Sequence, residues 1–104
     1  APDAQLYIGK SYWQEGKFSE AITAYTNVIN NYPSSGRVPE AYYERGRAYE
    51  AAGDKPRAKQ DYDYLIKTYE PDNNFVILAK QRIQAIGETK ELATTSERTG
   101  RWAP

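Results

Sequence analysis

The sequence predicts an all-α fold in which two helical hairpins lie side by side and one further helix closes the stack. Three observations predict it: the chain matches itself at an offset of 37 residues, its apolar residues recur every three or four positions, and Gly and Pro stand at the joints. The offset lays Pro2 on Pro39, Ala4 on Ala41, Gly9 on Gly46, Tyr12 on Tyr49 and Gly16 on Gly53. It continues with Ala21 on Ala58, Tyr25 on Tyr62, Val28 on Leu65, Ile29 on Ile66 and Tyr32 on Tyr69. Similarity returns at Gly and apolar positions while polar positions drift, as when one structural unit is used twice.

The first helix of each unit is expected from about Asp3 to Glu15 and from about Glu40 to Ala52. Gly16 and Gly53 end them, because a helix C-terminus commonly needs a residue in left-handed backbone. The second helix carries Phe18, Ala21, Ile22, Tyr25, Val28, Ile29 and Tyr32 on one face, which must be buried. Its copy carries Ala58, Tyr62, Leu65, Ile66 and Tyr69, with Lys55 in place of Phe18, so that turn is less well covered. Asp54 reads as an N-cap and Pro56 as a first-turn residue, while Pro33 closes one unit and Pro39 opens the next. Val76, Ala79, Ile83 and Ile86 then form a single apolar stripe over about 75–87, with Lys80, Gln81, Arg82 and Gln84 facing water, as in a terminal cap. Repeat 1 therefore spans about 2–33, repeat 2 about 39–70, and the domain 1–87. Residues 88–104 show no periodic face and are expected to be a flexible tail, in which Trp102 is a candidate contact for a second partner. No run alternates with period two, so strands are not expected.

Composition narrows the function. The 104 residues allow one domain. With no Cys, His or Met, the chain lacks thiolate nucleophiles, imidazole bases and the usual zinc ligands, so neither an enzyme nor a cofactor nor a metal is expected. Asp61 and Asp63 stand two apart on a helix, on different sides, and Gly9 and Gly46 sit inside helices rather than in a phosphate loop. Fourteen basic and fourteen acidic residues give zero net charge, without the field of a general nucleic-acid binder. No apolar run approaches the roughly 20 residues that cross a bilayer. Ten Tyr, against two Phe and two Trp, assign the core to amphipathic rings and Ala, in keeping with a mean hydropathy of −0.87. The opening Ala1-Pro2-Asp3, without an initiator Met, fits a processed chain or a piece of a longer one.

Gly9, Tyr12, Gly16, Ala21, Tyr25 and Pro33, and again Gly46, Tyr49, Gly53, Ala58 and Tyr62, resemble the signature of the tetratricopeptide repeat family. The resemblance covers about residues 3–70 and implies a right-handed α-α superhelix. Family repeats run about 34 residues, and the longer unit here gains its extra residues within Ser34-Ser35-Gly36-Arg37-Val38. The phrase Tyr32-Pro33-Ser34-Ser35, the helix start Pro39-Glu40-Ala41 and the last-helix run Ala79-Lys80-Gln81-Arg82-Ile83 look like the bacterial envelope branch, which includes Tol-Pal coordinators and outer-membrane assembly lipoproteins. That likeness implies a periplasmic or outer-membrane-associated adaptor, with the cytoplasm as the alternative compartment. Two positions depart from the pattern: Glu70 interrupts the second Tyr-Pro, and Arg45 stands where Ile8 stood.

A second stripe also repeats on the opening helices. Leu6, Lys10 and Trp13 match Tyr43, Arg47 and Glu50 at i, i+4 and i+7. In the resembling family these helices line a concave groove that holds a partner peptide. Lys10 and Arg47 are then expected to hold an acidic group and Leu6, Trp13 and Tyr43 to give apolar area, with Glu50 and Gln81 as further partner-binding residues. The plainer readings are that Lys10 and Arg47 are solvated charges paired with Glu44 or Glu50, and that Trp13 covers its own hairpin. Repeat arrays usually want about three units, so self-association or additional sequence upstream is a further expectation. A permanently fixed structural subunit is the alternative to a peptide receptor.

Overall fold

Each repeat unit folds as helix, three-residue turn, helix. In the computed structural model, which describes residues 1–86, the helices are α1 (Pro2–Gln14), α2 (Phe18–Asn31), α3 (Val38–Ala51), α4 (Lys55–Thr68) and α5 (74–86). The last residue expected in the cap and the whole 88–104 tail, Trp102 included, lie outside the described residues.

The turns form where the glycines predict them. Gly16 and Gly53 take φ of 79° and 90°. The Lys17 N–H reaches back to the Tyr12 carbonyl at 2.9 Å and the Asp54 N–H to the Tyr49 carbonyl at 2.8 Å, closing both helices in the same way. Asp54 caps α4 by accepting from the Arg57 N–H, whereas no side chain caps α1, α2 or α3. Asn73 performs the same service for the start of α5, accepting from the Phe75 N–H at 2.8 Å.

Two linked clusters make the core. Leu6, Ala21, Tyr25 and Val28 pack with Ala41 and Ala48 of α3, so the second unit completes the core of the first. Tyr43, Ala58, Tyr62 and Leu65 pack with Val76 and Ala79 of α5, so the cap completes the second. The hairpin helices approach closely because Gly9 faces the Tyr25 ring and Gly46 the Tyr62 ring; a Cβ at either glycine would run into that ring. Ile83 and Ile86 join the cap's buried stripe as expected, together with Phe75 and Leu78, which the spacing had not marked. Arg82 does not face water as expected. Its guanidinium returns to Glu50 of α3.

The departure at Arg45 is answered elsewhere in the sequence. Arg45 forms a two-point ion pair with Asp61 of α4 (2.9 and 2.6 Å) and donates to Thr26 Oγ1 of α2 at 3.2 Å. It also lies over the rings of Tyr42 and Tyr49. In the first unit the corresponding pair is Ile8 and Ala24. An apolar pair in one hairpin is thus a buried ionic pair in the other. Burial pushes the Asp61 carboxyl upward more than Arg45 pulls it down.

Candidate interaction groove between α1 and α3

The stripe on α1 and its copy on α3 face one another across a shallow groove. One cavity of about 250 Å³ is lined by Lys10, Trp13, Gln14, Tyr25, Glu44 and Arg47. A second, of about 200 Å³, is lined by Asp3, Leu6, Tyr7, Lys10, Arg37 and Glu40. Lys10 belongs to both and joins them.

The charges are arranged by the repeat itself. Each opening helix carries an acid and, seven residues later, a base: Asp3 and Lys10 on α1, Glu40 and Arg47 on α3. The base of the first unit meets the acid of the second, with Lys10 Nζ donating to Glu40 Oε2 at 2.5 Å. Arg37 closes the chain of charges, at 3.2 Å from Glu40 and 2.8 Å from Asp3. The base of the second unit meets no such acid among the described residues, and the repeat offset puts Ile77 of α5 in the place of Glu40. Arg47 instead donates to the Tyr43 hydroxyl at 3.3 Å and lies over the Trp13 ring, 5.9 Å from its centroid. Such a stacked guanidinium keeps other N–H groups for a partner.

Glu44 stands three residues before Arg47 and lines the same cavity. Its ion pair is a long one, 4.0 Å from Lys10 Nζ, although its side chain is only 26% exposed. Burial pushes its carboxyl above the usual range, against the pull of Lys10. Beside it, the Trp13 ring packs edge-on to Phe18, 6.1 Å between centroids, and its Nε1 is buried without a hydrogen-bond partner among the described residues.

The residues expected to form the site therefore separate. Lys10, Trp13 and Arg47 share one cavity. Leu6 lines the neighbouring one but is only 4% exposed, so it serves the core. Tyr43 is 8% exposed and packs on Tyr62 and Phe75, because α5 covers the face that an open groove would have shown. Glu50 is occupied by Arg82 at 2.7 Å and by the Tyr62 hydroxyl. Gln81 is exposed and lines neither cavity. Lys10 is not the free cation first expected, since Glu40 holds it; the acid repeated at Asp3 and Glu40 was the signal for that pairing. Glu44 was named only as a possible mate for a base. Its counterpart in the first unit is Tyr7, 73% exposed, so no repetition marked it.

Among the described residues no group of three acids or other ligands is placed to hold a metal ion, and no helix is long and apolar enough to cross a membrane. What the fold and groove define is a stacked-hairpin scaffold whose opening helices share an accessible face. Residues 6–73 match a family model described as tetratricopeptide repeat, and the chain belongs to that family. Repeats of this family generally mediate protein–protein interaction, and its members are typically non-enzymatic modules. A search of curated proteins finds no match.

Proposed function

We propose that this chain is a non-enzymatic adaptor that holds a segment of a partner protein along the groove between α1 and α3. The observation that carries the reading is the cavity where Trp13, Glu44 and Arg47 meet. It combines an aromatic wall with a carboxylate and a guanidinium that have no ion-pair partner closer than 4.0 Å among the described residues. Buried aromatic and Arg anchors of this kind dominate binding energy at protein interfaces. The likeness of the Tyr32–Ser35 and Ala79–Ile83 phrases to envelope proteins supports an adaptor in a bacterial cell-envelope complex, in the periplasm or at the outer membrane. Of the two groove cations, Arg47 is the one available to a polar group of the partner; engaging Lys10 as well would require its release from Glu40.

The test is selection of a random dodecapeptide display library on the immobilised chain, followed by titration of the enriched peptides against Arg47→Ala. Arg47 forms no ion pair within 4.0 Å among the described residues, so the variant is expected to keep its helical circular dichroism. A loss of about tenfold in affinity is expected for a charge-assisted contact. Unchanged affinity would place the binding elsewhere.

A further inference from the structure

Resting on that reading of the groove, we propose that the cavity between α1 and α3 recognises a carboxamide, the Asn or Gln side chain of a partner segment, held between Glu44 and Arg47. Most neighbouring charges are closely matched: Asp3, Arg37, Glu40 and Lys10 form a run of two acids and two bases, from which Lys10 also reaches Glu44, at 4.0 Å. Of the lining charges, the less closely held are Glu44, with that one long contact, and Arg47, three positions apart on α3, the spacing of neighbours on one helix face. They form no ion pair with each other within 4.0 Å. Glu44 accepts no hydrogen bond among the described residues, so it offers acceptor oxygens on a half-buried surface. Arg47 offers N–H donors beyond the one it gives to Tyr43.

The two groups select by sign. A partner carboxylate meets Arg47 favourably but is set against the partly desolvated Glu44, and a partner ammonium meets the reverse. A carboxamide presents two N–H donors and one carbonyl acceptor on a single planar, uncharged group, which answers both without placing like charges side by side. The Trp13 ring, with Arg47 over it, walls the same cavity and gives the methylene stem of a Gln an apolar surface.

The probes are three synthetic peptides made from the display consensus, with Gln, Glu or Lys at its most enriched polar position, titrated by fluorescence anisotropy. The selection itself is expected to enrich Gln or Asn at that position. The Gln peptide is expected to bind about tenfold more tightly than either charged one, since a site built for hydrogen bonds rejects analogues that leave its groups unpaired. Glu44→Gln should erase the penalty against the Glu peptide, and Arg47→Gln the penalty against the Lys peptide. Because the wild-type series alone carries the comparison, a poorly folded variant does not blunt it. Selection of an acidic or basic residue at that position, with binding still lost in Arg47→Ala, would overturn the carboxamide and leave the groove intact. No enriched peptide at all would overturn both.

Discussion

Arg45 shows how a residue can break a repeat's pattern without breaking its fold. The guanidinium replaces Ile8, and Asp61 replaces Ala24 opposite it. A side chain 18% exposed facing one 6% exposed is a mostly desolvated pair, where losing one partner costs far more than losing both. Asp61→Ala alone is expected to cost about 3–5 kcal/mol. Arg45→Ile with Asp61→Ala, which copies the first unit, should recover most of that loss. Urea melts of the wild type, both single variants and the double variant supply the cycle; equal losses in the single and double variants would show that the pairing is not what matters. The substitution at Arg45 was visible in the sequence, but Asp61 as its mate was not. Sixteen residues separate them, and only the side-by-side geometry of α3 and α4 makes them neighbours.

At the scale of the helix, the pairing of Gly with Tyr decides how near two helices lie. The periodicity made the helices and their turns legible, since Gly16, Gly53 and Asp54 each carry a local rule that needs no tertiary knowledge. It did not show which ring each interior glycine faces. In the folded chain Gly46 lies against the Tyr62 ring, and the ring's hydroxyl is fixed by Glu50, so the ring has little room to retreat. Gly46→Ala would raise helix propensity but is expected to lose about 1–3 kcal/mol through overpacking. Thermal unfolding followed by circular dichroism should show a midpoint lower by about 4–8 °C for each kcal/mol. An unchanged or higher midpoint would mean that the hairpin opens at no cost.

The whole molecule is held to its cap by a polar tie as well as by an apolar face. Glu50 on α3 receives Arg82 from α5 and the Tyr62 hydroxyl from α4, so one carboxylate joins three helices. Burial opposes its charge, yet the hydrogen bonds from Arg82 and Tyr62 prevail and hold its pKa below the usual value. A depressed carboxyl pKa contributes stability that is present in full above the unfolded-state value of about 4.3 and is lost as pH falls through the folded-state value. Glu50→Gln is therefore expected to lower the melting midpoint at neutral pH, the deficit shrinking as the wild type is acidified below about pH 4. Melts of both proteins across that range check the sign. At this scale, too, lies the reason the groove was only half legible. The repeated stripe located its wall, but whether Lys10, Glu50 and Tyr43 were free depended on Glu40, Arg82 and α5, which reach them from other helices.

The Arg45 lock gives the seam between the units a direction. Arg45 reaches Thr26 of the preceding hairpin, and the residue that occupies Thr26's place one unit later is Asp63. A gene that duplicated the second hairpin in tandem would set the new Arg45 against a carboxylate and seal readily. One that placed the first hairpin behind the second would set Ile8 against that same carboxylate and leave it unanswered. An array built from these parts gains an ion pair at each new seam when the second hairpin is the one copied.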